Sequence, residues 1–132
     1  MNRKLFTLEE ASALIPWLEQ ILKELGLLYT ELKIAQANYQ DLSRRRNNNG
    51  HSSSEEEIES VHDNVNRITS DINSGMESIS SEGILLRHLE SGLVDFPSIR
   101  DGNEIYLCWL LGEKDIGFWH EVNVGYSGRR PL

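Results

Sequence analysis

The groups best placed for chemistry lie near the C-terminus of the 132-residue chain, in the segment Trp119-His120-Glu121. Histidine exchanges protons near neutral pH and a carboxylate can orient its ring, so His120, Glu121 and the more distant Asp95 form a candidate acid–base group. A plainer interpretation is that His120 shares a strand face with Phe118 and is a buried histidine bonded to a backbone carbonyl. Both interpretations are open at the level of sequence.

Two arginines and two tryptophans are the other candidate ligand-binding residues. Arg129 and Arg130 lie in a glycine-containing tail, where guanidinium groups and exposed amides can bind a carboxylate or phosphate. The same arginines can instead form salt bridges with the acidic body of the protein. Trp109 and Trp119 are either ligand platforms or residues of the core or of a dimer interface.

Sequence patterns of common catalytic and metal sites do not occur. The four histidines are dispersed, so no pair has metal-ligand spacing within one element, and we expect neither a metal nor a cofactor. Cys108 lies in an apolar stretch without nearby cations and is interpreted as an inert packed thiol. Asp95 either caps a turn before Phe96-Pro97 or presents its carboxylate to a site. The evidence for an enzyme is therefore weak.

The N-terminal two thirds of the chain has a helical pattern. The residues Thr7-Leu8-Glu9-Glu10 spell a capping box, and Pro16 predicts a break before a long helix. Apolar residues then follow a heptad through Leu18, Ile21, Leu25, Leu28, Leu32, Ala35, Tyr39 and Leu42. A second row, Ile15, Leu22 and Tyr29, widens this stripe beyond the needs of a two-stranded coil. The wide stripe favours a four-helix bundle formed by a homodimer.

The C-terminal third is rich in strand formers and turn signals. Asp101-Gly102 predicts a turn, the alternation over Glu104–Leu111 predicts a strand covered on both faces, and Ile116–Val124 predicts a second strand. We expect Pro97 to end the extended segment that begins at Leu93. The last eight residues read as a loop.

These patterns predict one α+β domain, mainly α, with a long antiparallel two-helix hairpin followed by a small antiparallel β-sheet. The predicted segments are a capped short helix over 1–16, a long helix over 17–46, a polar linker over 47–54, a second long helix over 55–91 and a β-hairpin unit with its tail over 92–132. The linker includes Ser52, Ser53 and Ser54, which offer a cap to the second helix.

Composition limits the classes of partner. With 13 Lys and Arg against 21 Asp and Glu, the formal net charge is -8, which disfavours nucleic acid. No apolar run approaches the roughly 20 residues of a membrane span. A single cysteine and the absence of a recognisable leader predict a cytoplasmic protein.

The assembled motifs resemble those of a family of small, uncharacterised bacterial and plastid proteins classified only as a domain of unknown function. The matching stretches are Phe6-Thr7-Leu8-Glu9-Glu10-Ala11 with Pro16, Gly92-Leu93-Val94-Asp95-Phe96-Pro97, Asp101-Gly102, Leu107-Cys108-Trp109, Trp119-His120-Glu121, and Gly125 with Gly128-Arg129-Arg130-Pro131-Leu132. The resemblance implies no activity, but its motifs concentrate in the β-unit and tail, where a site is then expected.

Taken together, the sequence favours a non-catalytic interaction or adaptor module that self-associates through its helices. Its β-unit would bind a protein partner or a small anionic ligand. The alternative is a small-ligand-binding protein or small enzyme with a site around Asp95, His120 and Arg129.

Overall fold

A computed structural model describes residues 4–49 and 55–132. The architecture is α+β, with two long packed helices followed by a five-stranded antiparallel sheet. In chain order the elements are α1 (Leu8–Ala13), α2 (Ile15–Asn49), α3 (Glu55–Ser81), β1 (Leu85–His88), β2 (Leu93–Arg100), β3 (Asn103–Leu110), β4 (Phe118–Glu121), a 3-10 turn (Tyr126–Gly128) and β5 (Arg130–Pro131). The chain divides into two compact units, residues 1–26 with 75–132 and residues 27–74.

Helix α1 begins at the predicted capping box. The Thr7 hydroxyl accepts a hydrogen bond from the Glu10 amide at 3.0 Å, and the Glu10 carboxylate accepts one from the Thr7 amide at 2.9 Å. The bond from the Thr7 amide lowers the pKa of the Glu10 carboxyl because it stabilises the ionised form. The helix ends at Ala13 and α2 begins at Ile15, so the chain does break near Pro16, but Pro16 lies in the first turn of the long helix and not in the short helix predicted over 1–16.

Within the unit of residues 27–74, the later part of α2 packs on the earlier part of α3. The rings of Tyr39 and His62 lie 5.1 Å apart, and Arg46 is ion-paired with Glu55. The heptad positions Ala35 and Leu42 are buried, as the periodicity predicts. Helix α2 continues to Asn49, three residues beyond the predicted end, while the remainder of the predicted linker, with Ser52, Ser53 and Ser54, lies outside the described residues.

The second helix is shorter than predicted. We expected it to reach residue 91, but α3 ends at Ser81 and residues 85–88 form β1. Gly83 has a φ of +87°, a left-handed conformation that stops the helix at little steric cost. The predicted end at residue 91 rests on Leu86, Leu89 and Leu93, which keep the heptad spacing of Ile72 and Ile79, but Leu86 pairs with Val94 of β2 and Leu93 begins that strand.

The sheet is an antiparallel meander in the order β1-β2-β3-β4-β5. Asp101 and Gly102 form the predicted turn, both with positive φ, which suits a two-residue hairpin loop. The expectation that Pro97 ends its strand is wrong, because β2 runs on to Arg100. The Pro97 carbonyl accepts a hydrogen bond from the Phe6 amide at 2.7 Å and therefore points away from β3. The nitrogen of Pro97 faces the same side, so its lack of an N–H removes no hydrogen bond between β2 and β3.

Two further details at the C-terminus differ from the sequence prediction. The strand predicted over Ile116–Val124 forms only at Phe118–Glu121, and the tail predicted as a loop contributes the short strand β5. Strand β5 pairs with β4, and the Leu132 amide donates to the Gly117 carbonyl at 2.9 Å. These bonds fix the tail against the sheet.

Side-chain alternation gives the sheet two chemically different faces. One face, called here the apolar face, carries Val94, Phe96, Leu107 and Trp109, and the Phe96 ring contacts the Phe6 ring at 5.3 Å. The other, called the cluster face, carries Asp95, Tyr106, Cys108 and His120. All eight of these residues are buried, which confirms that β3 is covered on both sides.

Candidate functional site

The candidate site is a group of polar side chains on the cluster face, built from the four adjacent strands β1 to β4. Asp95 of β2 lies directly opposite Cys108 of β3, and His120 of β4 lies opposite Tyr106. Asp95 and His120 are each 3% exposed, and Cys108 is fully buried. The Asp95 carboxylate, the Cys108 sulfur and a His120 ring nitrogen all lie within 4.8 Å of one another. We call Arg87, Asp95, Cys108 and His120 the Asp95 cluster.

Asp95 is held by two side chains. Its Oδ2 accepts a hydrogen bond from Arg87 Nε at 2.8 Å, and its Oδ1 lies 3.0 Å from His120 Nε2. The bond to Asp95 raises the pKa of the Arg87 guanidinium above its usual value, because the carboxylate stabilises the cation. Arg87 also lies over the Tyr106 ring at 5.0 Å. Asp95 therefore lies inside a strand and does not cap a turn.

Both ring nitrogens of His120 face hydrogen-bond acceptors. Besides the Asp95 contact at Nε2, Nδ1 lies 2.9 Å from the backbone carbonyl oxygen of Glu121. A carbonyl oxygen only accepts, so the proton on Nδ1 is assigned by this contact. The sequence interpretation of a buried histidine bonded to a backbone carbonyl thus describes the geometry at Nδ1.

Cys108 is a fully buried free thiol, and the reason given for expecting it to be inert, the lack of a nearby cation, does not hold. Burial, followed by the nearby Asp95 charge, raises the pKa of the Cys108 thiol to about 12. A cation is present, since Arg129 Nη1 lies 4.0 Å from the sulfur, and it acts in the opposite direction. Desolvation and the carboxylate outweigh it.

Arg129 belongs to an ion pair beside the cluster. Its guanidinium contacts the carboxylate of Glu113, and the side chain is only 10% exposed. It also lies 3.8 Å from the Phe118 ring centroid and 4.7 Å from that of Tyr126. Glu113 is itself fixed by accepting the Leu110 amide at 2.8 Å. The salt-bridge interpretation of Arg129 describes this arrangement.

A cavity of about 190 Å³ opens beside the Asp95 cluster. Its lining consists of the four cluster residues together with Leu93, Val124, Gly125 and Tyr126. Arg87, whose side chain is 43% exposed, provides the part of the cluster that reaches solvent. A polar, buried group of side chains therefore has a small space next to it in which a ligand can bind.

The other residues predicted for the site lie elsewhere. The Glu121 carboxylate accepts a hydrogen bond from Arg130 at 3.2 Å on the opposite side of the sheet, so Asp95 is the carboxylate that contacts His120. Trp119 is also on that side, between Arg100 and Arg130, along a surface cleft of about 590 Å³. Trp109 is fully buried, and its indole N–H donates to the Glu113 carbonyl at 3.2 Å.

Two members of the cluster were missed as site residues by sequence reasoning. Arg87 lay in the predicted second helix, where nothing indicated that it would reach Asp95. Cys108 was recognised only as a packed thiol. Asp95 and Cys108 pair across β2 and β3, and Arg87 lies at an irregularity in the pairing of β1 with β2, so only the arrangement of these strands brings the residues together.

The fold and site together define an α+β protein with a buried Asp–His–Cys group on one face of a five-stranded meander. Residues 4–132 match the model of the family described as uncharacterized conserved protein (DUF2203), so the chain belongs to this family. No curated protein and no solved structure matches the chain. None of the helices in the described ranges combines the length and the hydropathy that crossing a bilayer requires.

Proposed function

We propose that this chain is a small-ligand-binding protein whose site is the Asp95 cluster. The observation that carries the proposal is the convergence of four polar side chains on one cavity: Arg87, Asp95, Cys108 and His120 all line it. Buried charged groups are costly to stability, and an apolar set of similar volume often does as well or better. A ligand gives such a group a reason to persist in a sheet that is otherwise well packed.

Binding agrees with the geometry better than acid–base catalysis. A general base needs one ring nitrogen directed at its substrate, whereas both nitrogens of His120 are engaged within the chain. The Glu121 carboxylate, which we considered as a catalytic partner, is bonded to Arg130 instead. The same residues remain well suited to hold a ligand in place.

The size of the cavity restricts the ligand. Cavities that take drug-sized molecules run from roughly 300 to 1,000 Å³. The space beside the Asp95 cluster, about 190 Å³, is smaller. An ion or a molecule of a few heavy atoms therefore fits, and Arg87 offers such a ligand a positive charge.

Native mass spectrometry of the purified chain tests this proposal. We expect wild-type protein to carry an additional small mass that Asp95→Asn abolishes. Glu121→Gln is the matched control, because it neutralises a carboxylate on the opposite side of the sheet and should keep that mass. A wild-type mass equal to that of the chain alone, with no thermal stabilisation by added small ions or acids, would contradict the proposal.

A second candidate function is self-association, and one observation favours it. Leu27 and Ile34 of α2 are 69% and 66% exposed and lie seven residues apart, on the same helix face. The second apolar row, Ile15, Leu22 and Tyr29, gives less support for a dimer, because Ile15 and Leu22 are already buried within one chain. We therefore propose, as the second candidate, a homodimer joined through Leu27 and Ile34. The cytoplasmic location expected from the sequence stays a prediction.

Sedimentation of a double variant tests self-association. Leu27→Lys with Ile34→Lys should convert a dimer into a monomer by placing charge in the interface. Ile99→Lys is the control, since Ile99 is also exposed but lies on β2. Wild-type protein that sediments as a monomer at all concentrations, or a double variant that still dimerises, would exclude this interface.

A further inference from the structure

We infer that the Asp95 cluster binds a divalent metal ion of the zinc class, with Asp95, Cys108 and His120 as its three protein ligands. This inference rests on the proposed function, because it names the ligand of the same site. It departs from the sequence-based expectation that the chain binds no metal. The three ligand atoms come from β2, β3 and β4, and the sequence spacing of these residues gives no sign that they meet.

The first argument is the hydrogen-bond balance of His120. The Glu121 carbonyl requires a proton on Nδ1, which leaves Nε2 of a neutral imidazole with a lone pair. That lone pair faces the Asp95 carboxylate at 3.0 Å, so two acceptors oppose each other. A cation between them, either a second proton or a metal ion, removes the conflict. The neighbouring sulfur decides which cation we propose.

The second argument is that Cys108 completes a set of metal ligands. Nitrogen, sulfur and carboxylate oxygen are the three donor types that zinc accepts in proteins, and here they converge within 4.8 Å. A proton shared by Asp95 and His120 gives the sulfur no role. The Arg129 guanidinium lies 4.0 Å from the sulfur, and its positive charge would stabilise the negative charge of a metal-bound thiolate.

The third argument concerns the contacts that orient the ligands. Metal-binding histidines usually donate their second ring N–H to a carbonyl or carboxylate, and metal-binding carboxylates are themselves hydrogen-bonded. His120 has such a contact at Nδ1 with the Glu121 carbonyl, and Asp95 has one at Oδ2 with Arg87. These two contacts use Nδ1 of His120 and Oδ2 of Asp95. The remaining atoms, Nε2 of His120 and Oδ1 of Asp95, face each other and are the ones proposed to bind the metal.

The cavity supplies an entry path and a place for a further ligand. Zinc in sites that bind exogenous molecules has three protein ligands and an open position. The space beside the cluster is bordered by Arg87 and Tyr126, so a small anion bound there would contact a guanidinium. The small anionic ligand expected from the sequence could then bind at the open position of the metal ion, next to Arg87.

Titration of the full, chelator-treated chain with Co²⁺, followed by displacement with Zn²⁺, tests the inference. We expect one Co²⁺ per chain and a thiolate-to-cobalt charge-transfer band in the near ultraviolet. His120→Gln should weaken Co²⁺ binding by about 100-fold or more, since the loss of a ligand exceeds that of an orienting contact. Cys108→Ser should abolish the charge-transfer band. His62→Gln removes an exposed histidine of α3 and should change neither result.

The possible outcomes separate this inference from the proposed function. Wild-type protein that binds neither metal overturns the inference, as does Co²⁺ binding without a thiolate band. If native mass spectrometry then still shows a retained non-metal molecule that is lost in Asp95→Asn, the proposed function stands without the metal. If it shows no retained mass, and added small ions or acids give no thermal stabilisation, both fail. Far-ultraviolet circular dichroism identifies any variant that has not folded, and the wild-type titration decides the question without the variants.

Discussion

The two faces of the sheet are both buried at the centre of strands β2 and β3, but there they are chemically opposite. On the apolar face, Phe96 and Trp109 are fully buried among other apolar side chains. On the cluster face, the neighbouring positions hold Asp95 and Cys108, and His120 lies close by. Burial of apolar surface stabilises a fold, whereas burial of charged groups does so weakly at best. The comparison predicts that the apolar face contributes most of the stability, and it agrees with the proposal that the cluster face binds a ligand.

The largest effect is expected on the apolar face. Phe96→Ala should lower the free energy of unfolding by about 3 to 5 kcal/mol, because it removes a fully buried ring and leaves a cavity beside Phe6. Urea denaturation measures the change. A loss below about 1 kcal/mol would show that this face is not the main source of stability and would break the comparison.

On the cluster face, a single and a double substitution should differ in the size of the stability loss. Asp95→Ala leaves His120 buried without its partner and should cost about 3 kcal/mol or more. The double change Asp95→Leu with His120→Phe replaces the pair by apolar groups and should recover most of that loss, because a buried polar pair contributes little net stability.

Urea denaturation of the single and the double variant, in the presence of a chelator, gives the comparison. Arg87 can turn to solvent in both variants, since its side chain is partly exposed. If the double variant is as unstable as Asp95→Ala, the Asp95 cluster is a structural element of the fold and the division of roles between the faces is wrong.

Two glutamate–arginine pairs provide an intermediate test. Glu113→Gln should destabilise the protein by about 2 kcal/mol, because Arg129 is nearly buried and depends on this charge. Glu121→Gln is the matched change at an exposed pair, with Arg130, and should cost less than about 0.5 kcal/mol. Thermal unfolding of both variants checks the order. Equal effects would mean that the Arg129 pair is no more than a surface contact.

The fold could be predicted in those regions where structure depends on local pattern. The heptad through Leu18, Leu25, Ala35 and Leu42 predicts the buried side of α2, and Asp101-Gly102 predicts the turn between β2 and β3. Periodicity and turn chemistry act over a few residues, so the sequence alone contains them. The end of α3 was missed because the leucines after Gly83 happen to keep the heptad spacing.

The candidate site could be predicted only in part. Residue type and motif indicate Asp95 and His120 as candidate site residues, and the structure places the two side chains in contact. The partnership of His120 with Asp95, in place of Glu121, depends on the register of three strands and on the alternation that directs adjacent residues to opposite faces. Arg87 could not be predicted as a site residue, because the sequence pattern places it in the second helix and the structure places it on strand β1.

The smallest effect is expected at alkaline pH and concerns the Cys108 thiol. Its pKa is about 12 in the folded chain against 9.0 for the unperturbed group. Between these values the unfolded chain loses a proton that the folded chain keeps, so stability is full below about pH 9 and falls as the pH rises above it. Denaturation of wild type and Cys108→Ser, each with chelator and at several pH values from about 8 to about 10, isolates this contribution. Wild type should lose stability more steeply than Cys108→Ser in that range. Parallel curves would mean that water reaches the sulfur and that the cluster face is less dry than the apolar face.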